Sequence, residues 1–315
     1  MAYETQLITP YDVRANLEKY GEQILFSDKA DINGLIIELH TYDRDHIDMW
    51  RDNLFSASER MRSHGRLYCV RDEEQELHVE FDPETCTAFL YNFDYYGWVK
   101  SIALGIAGYI LEGIHGIYSV HGAAISVDDI GVTIIAPSKT GKTTQSWGLL
   151  RDKNSCLISD DWFFVTFGDG RPHIRGSEKN CYVDADIGDV WEEFKPLVEN
   201  VKFDNKGRGI TNIRWVTGDS SVISSCSLRY VILLQRDPDE TEDVQEYDPH
   251  CALEYLMRND FCNPHQLVRD PFRTTLRAQF FKRLLESCKV YLVNTIRPAR
   301  ETQELIRGII RGDLD

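Results

Sequence analysis

The run Ala136-Pro137-Ser138-Lys139-Thr140-Gly141-Lys142-Thr143-Thr144 carries the residue types that hold phosphate. It fits the pattern G-x-x-x-x-G-K-[ST], with only the first glycine replaced, by Ala136. Such a loop points backbone N–H groups at phosphate oxygens, sets a lysine on the terminal phosphates and offers a hydroxyl to magnesium. Ser138, Lys139, Thr140, Gly141, Lys142, Thr143 and Thr144 are therefore the candidate nucleotide contacts, with Thr143 also a candidate metal ligand. An ordinary strand–turn–helix corner with a surface lysine would share the same letters, so the flanks matter. Gly131-Val132-Thr133-Ile134-Ile135 reads as a buried strand, and residues 144–150 read as a helix, whose N-terminus favours anions.

Two further groups could work beside this loop. Leu157-Ile158-Ser159-Asp160-Asp161-Trp162-Phe163 is an apolar strand interrupted by adjacent carboxylates, which are costly to bury without partners. Beside a nucleotide, one carboxylate could approach the metal and the other accept the proton of an attacking hydroxyl. Side chains alternate along a strand, so both serve one site only if the strand ends or bends there. A solvated strand end is the plain alternative. His121 lies in the apolar segment Val120-His121-Gly122-Ala123-Ala124. It reads either as a satisfied core histidine or as a donor or proton relay near phosphate, with Gly122 permitting a close approach.

The elements that must position these groups fall into two parts. Residues 10–27 and 43–62 carry helical patterns around a strand-like stretch at 34–40. Strand candidates follow at 66–71, 76–81 and 85–93, giving an α+β module over residues 1–95. Residues 96–315 form the second part. An apolar, small-residue helix over 101–111 leads into strands at 119–127 and 131–136, joined by Asp128-Asp129-Ile130 as a hairpin turn. More strands are expected at 155–167, 228–235 and 289–293, with helices at 185–199, 250–257, 274–288 and 299–312.

Composition narrows the function classes. The chain has 315 residues with formal net charge −16, which opposes non-specific nucleic-acid binding but not nucleotide binding through a few local cations. No stretch approaches the roughly 20 apolar residues of a membrane helix, and Met1-Ala2-Tyr3-Glu4-Thr5 lacks the character of a signal peptide. The eight cysteines are scattered without zinc spacing, which reads as reduced thiols in a cytoplasmic protein.

Taken together, His121-Gly122-Ala123, the loop 136–144 and Ser159-Asp160-Asp161 resemble the HPr kinase/phosphorylase-like superfamily over roughly residues 97–311. That resemblance implies an α/β fold related to phosphoenolpyruvate carboxykinase: a P-loop kinase domain preceded here by the α+β module. It implies ATP and Mg2+ as cofactors and phosphoryl transfer to a hydroxyl. By the same resemblance Lys142 binds the β- and γ-phosphates, Thr143 holds magnesium, Asp160 and Asp161 divide the metal and base roles, and His121 lies near the transferred group. The family's Glu-Ile-Arg-Gly stretch is His173-Ile174-Arg175-Gly176 here, so Arg175 survives as a catalytic candidate while a histidine replaces the acidic metal contact. Ser177-Glu178-Lys179-Asn180 also departs from the family signature, so neither the HPr protein as substrate nor reverse phosphorolysis is expected.

The expected partners are a nucleotide and a hydroxyl-bearing acceptor: a protein, a peptide or a small metabolite. Neither nucleic acid nor membrane is expected, and a homo-oligomer is open. The alternatives are a non-catalytic ATP-binding regulator, suggested by Ala136 and His173, and a carboxykinase-like enzyme resting on fold kinship alone. Lys206-Gly207-Arg208-Gly209 and the arginines of Thr295-Ile296-Arg297-Pro298-Ala299-Arg300 are weaker phosphate candidates.

Overall fold

The computed structural model describes residues 3–199 and 201–313. It is a mixed α/β structure built on two large sheets and a small two-stranded one. In the first sheet, strands Glu4–Leu7, His78–Asp82, Thr87–Tyr91, Gly65–Val70, Leu35–Thr41, Phe26–Ile32 and Phe55–Ser56 lie side by side in that order. Their apolar residues, Leu35, Ile37 and Leu39 among them, are buried on one core with Ile47 and Trp50 of helix Arg44–Asn53. Helix Tyr96–Ile110 closes that core. Its sequence is apolar nearly all round, as a helix enclosed on several sides must be. It touches the second part of the chain as well, since Trp162, Phe164 and Tyr182 share the cluster.

The second sheet orders strands Ser155–Ser159, Ala123–Val127, Ile130–Ile135, Ser225–Gln235, Arg171–Gly176, Trp162–Gly168 and Tyr118–His121. Lys289–Asn294 pairs with Ser225–Gln235 and carries Val244–Glu246 on its other side. The long strand Ser225–Gln235 is the spine. Its first residues pair antiparallel with Arg171–Gly176, and the rest pair parallel with Ile130–Ile135 and Lys289–Asn294. One face packs on Trp147, Trp191 and helix Ala299–Arg311, and the other on helices Pro249–Arg258 and Pro271–Glu286. The last two begin at Asp248-Pro249 and Asp270-Pro271, where the aspartate caps free N–H groups and proline presets the first turn.

Several sequence expectations change here. The stretch 119–127 is two strands, breaking at Gly122, and 155–167 is two strands, breaking at Asp160-Asp161. Each half pairs in a different part of the sheet: Tyr118–His121 with Trp162–Gly168, but Ala123–Val127 with Ser155–Ser159. Local sequence carries no record of those distant partners. The helix expected over 10–27 stops at Tyr20, because 26–32 is recruited as a strand against Leu35–Thr41. The one over 43–62 stops at Asn53. Residues 187–198 fold as three short turns rather than one helix. The hairpin at 128–129 forms with both aspartates at positive φ, 49° and 63°, as a two-residue turn matching strand twist requires.

Candidate functional site

The two strand breaks coincide in space. The Gly122 N–H donates to Asp161 O at 2.8 Å, which locks the two crossings together. A Cβ on Gly122 would lie 2.8 Å from Ile134 O, so the close approach that glycine permits there is to another backbone. The two breaks lie beside the carboxyl end of strand Ile130–Ile135, since Gly122 packs on Ile134 and Ile135. In open α/β sheets ligands bind at the carboxyl ends of parallel strands.

The loop after that strand is the one singled out by sequence. Ala136 is buried, Ser138 and Lys139 are exposed, and Lys139 and Gly141 take positive φ of 69° and 97°. Gly141 is then the left-handed residue that aims the chain into helix Lys142–Leu149. Two bonds fix the loop: Thr140 Oγ1 donates to Pro137 O (2.7 Å), and Thr295 Oγ1 donates to Thr140 O (2.8 Å). The indole of Trp191 holds Thr144 O at 2.8 Å. Among the described residues no side chain caps this helix, which leaves its first N–H groups, at the positive end of the helix dipole, without a side-chain acceptor.

Lys142 reaches from the first turn to Asp161, with Nζ to Oδ1 at 2.6 Å, and to the Asp160 carbonyl at 3.2 Å. His121 Nε2 lies 3.1 Å from the same Oδ1, and its Nδ1 donates to Cys262 O at 3.0 Å. Cys262 is offered by an unusual turn in which Asp260, Phe261 and Cys262 all have positive φ, 52° to 53°. Left-handed non-glycine residues are strained and concentrate where geometry serves a site. His265, near His121, is pushed down to about 3 by burial and by His121, so it stays neutral, bonded to Tyr3.

Sequence reasoning missed two residues that complete this cluster. Lys100, from helix Tyr96–Ile110, has its side chain 1% exposed and binds Asp161 Oδ2 at 2.8 Å and Glu178 Oε1 at 3.1 Å. Glu178 is as deeply buried, and its Oε2 has no hydrogen-bond partner among the described residues. A lysine inside an apolar helix was the available signal for the first. For the second there was only its place in a stretch set aside as atypical.

The adjacent aspartates separate in role. Burial alone would push the Asp161 carboxyl up, but Lys100, Lys142 and His121 together hold it well below the usual carboxylate range. Asp160 faces the other way, lining a narrow cavity with Glu178, Asn212 and Arg214. Burial, then the like charge of Glu178, push it up to about 7, against the pull of Lys100. Lys100 in turn is held well above its usual range: burial opposes its charge, but Asp161, Glu178 and Asp160 outweigh that. Divergent environments for neighbouring carboxyls are how one site assigns different proton roles.

The remaining candidates lie outside the cluster. Arg175 is exposed on its strand, and its side chain makes no hydrogen bond or ion pair with any described residue. Arg208 is bound to Asp184 through two nitrogens, at 2.7 and 3.0 Å. Arg297 pairs with Asp243 (2.5 Å) and Glu301 (3.5 Å). All eight cysteines are free thiols, and among the described residues no helix is long and apolar enough to cross a membrane.

No family model matches the chain, and no curated protein matches it. Among solved structures it is similar to the HPr(Ser) kinase/phosphatase from Coxiella burnetii, over 62% of this chain and 89% of that one. The identity is 16% and the TM-score 0.36, a likeness too loose to bear on activity or substrate.

Proposed function

We propose that the chain is an ATP- and magnesium-dependent phosphotransferase acting on a hydroxyl. The observation that carries this reading is Asp161: an ionised carboxylate, its side chain 23% exposed, held between Lys142, Lys100 and His121 where the loop opens onto the helix. When bound, ATP with magnesium supplies the phosphoryl group and part of the charge neutralisation. The N–H groups at the start of helix Lys142–Leu149 and the Lys142 ammonium would hold phosphate oxygens. Thr143 and Asp160 are the residues proposed for the metal. Asp160 here faces the cavity it shares with Glu178, and among the described residues no group of three His, Cys, Asp or Glu side chains is placed to hold an ion, so the magnesium would rest chiefly on the nucleotide's own phosphates.

The chain's own residues then do three things. Asp161 accepts the proton of the acceptor hydroxyl at an oxygen already shaped by hydrogen bonds. Lys100 keeps that carboxylate ionised when Lys142 is engaged with phosphate, since its own partners are fixed in the interior. His121, anchored through Nδ1, keeps Asp161 oriented. The acceptor is a serine-type side chain of a protein or peptide, or a small hydroxylated metabolite.

The exposed position of Arg175 favours a second reading, a regulator that binds ATP without transferring phosphate. One experiment separates the two. γ-Labelled ATP is incubated with the protein in host-cell extract, the products are split into small-molecule and macromolecular fractions, and Lys142→Ala serves as control. Lysine-dependent label in either fraction is the expected result. ATP binding without any lysine-dependent label would sink the transferase reading.

A further inference from the structure

Asn53, the last residue of helix Arg44–Asn53, is fully buried, although its region shows no chemistry of its own in the sequence. Its Nδ2 donates to Glu178 Oε1 at 3.0 Å and to Asn180 O at 2.7 Å, and its Oδ1 accepts from Tyr96 Oη at 3.0 Å. Both amide protons and the amide oxygen are used, the protons on the segment 178–180 and the oxygen on helix Tyr96–Ile110. Its backbone carbonyl accepts from the N–H groups of Lys179 and Asn180, at 2.8 and 3.2 Å. The preceding carbonyls of Asp52 and Arg51 take Asn180 Nδ2 (2.7 Å) and Lys179 Nζ (2.6 Å). The end of this helix therefore grips residues 178–180 along their length. Through them it reaches the site: Asn53 to Glu178, Glu178 to Lys100 at 3.1 Å, Lys100 to Asp161 at 2.8 Å.

We propose that Asn53 is a positioning residue for the transfer site, fixing Glu178 so that Lys100 stays seated on Asp161. The N-terminal region is then a working part of the phosphotransferase, delivering one buried amide to the charge cluster. This rests on the reading of Asp161 as proton acceptor. The residue type is specific. Leucine would leave Glu178 Oε1 with Lys100 alone and strand the Tyr96 hydroxyl. Aspartate would lose both donors and set another carboxylate against Glu178. A mere joint between the two parts would be served by the bonds to the backbone of 179 and 180, without the side-chain bond to the Glu178 carboxylate.

The test uses the full chain with Asn53→Ala, and Asn16→Ala as a control. Asn16 donates to Glu80 Oε2 at 2.6 Å, inside the N-terminal region and away from the site. Asn53→Ala is expected to lower kcat for ATP turnover by about 10- to 100-fold, with KM for ATP within about threefold, because loosening a catalytic group costs rate rather than ground-state binding. Asn16→Ala leaves kcat unchanged. A second readout needs no turnover. The Lys100 ammonium is buried and paired, so its 15N–1H signal is protected from solvent exchange; Asn53→Ala should speed that exchange by about tenfold or more while Asn16→Ala does not.

Parental kcat in a folded Asn53→Ala protein, or unchanged Lys100 exchange, overturns the proposal. If the parental protein turns over no ATP, the functional reading fails on its own and the Lys100 signal still decides the role of Asn53. If Asn53→Ala does not fold, Tyr96→Phe removes only the bond to Oδ1. It should reduce kcat by about three- to tenfold, and parental kcat together with parental Lys100 exchange there counts against the proposal.

Discussion

Strand Tyr118–His121 carries two charge clusters two residues apart, and they differ most in exposure. At Ser119, the Glu112 carboxylate takes the backbone N–H (3.3 Å) and the hydroxyl (2.9 Å), while Arg277 binds Glu112 and the Ser119 carbonyl. Both ionised side chains are sealed, 5% and 1% exposed. At His121, the Asp161 carboxylate takes Lys100, Lys142 and the imidazole, but Asp161, Lys142 and His121 remain 23%, 15% and 19% exposed. Pairing of opposite charges around one carboxylate is therefore common to both. What marks the second as a site is that some of its charges stay reachable from solvent, at two coincident strand breaks beside a helix N-terminus. The first closes the join between helix Tyr96–Ile110 and helix Pro271–Glu286.

The contrast can be broken most severely at its two lysine and arginine anchors. Lys142→Ala should reduce ATP turnover by about 10²- to 10³-fold or more, the scale of losing one preorganised charge at a transition state, while its thermal midpoint stays near the parental value. Arg277→Ala should behave in the opposite way. It strands Glu112 in the interior and should cost roughly 3–5 kcal/mol of stability by chemical denaturation, with turnover per folded molecule near parental. Equal losses of stability in both variants would erase the distinction.

A smaller effect sharpens it through pH. Asp160 rises from 3.8 to about 7 on folding, so the native state binds its proton more tightly than the unfolded chain does. Its contribution to stability is thus present in acid and declines as pH rises through that window. Asp160→Asn should match the parent near pH 4 and exceed it above pH 7, by roughly 2–4 kcal/mol. The same variant should lose the acid limb of the rate profile near pH 7, if ionised Asp160 holds the metal. Parallel stability curves across that range would mean the carboxyl is not forced to ionise against Glu178.

How much of this the sequence disclosed depends on how local each feature is. The loop 136–144, the strand before it and the helix after it are written in consecutive residues, so the phosphate-binding pattern could be read directly. The break at Asp160-Asp161 was visible as two carboxylates in an apolar run. That only Asp161 turns toward Lys142 was not, because it depends on which strands each half pairs with. Gly122 was noticed, but what approaches it is strand Ile130–Ile135, a matter of packing. Lys100 is legible only as one charge in an apolar helix, with nothing local to name its partners. Glu178 departs from a family pattern, yet together with Asp161 it makes Lys100 tolerable in the interior. Asn53 had no signal at all, since its partner Glu178 is 125 positions away.

The account turns on Asp161 being the ionised group that takes the acceptor's proton, and Asp161→Asn addresses it most directly. The amide keeps size and some hydrogen bonding while removing the charge that Lys100, Lys142 and His121 surround. Binding of magnesium–ATP and single-turnover consumption of ATP would be measured side by side on the variant and the parent. The prediction is binding within about threefold of the parent with turnover lower by about 10²-fold or more. Parental turnover in the variant would contradict the proposed role of Asp161, and an absence of turnover in the parent would contradict the transferase itself.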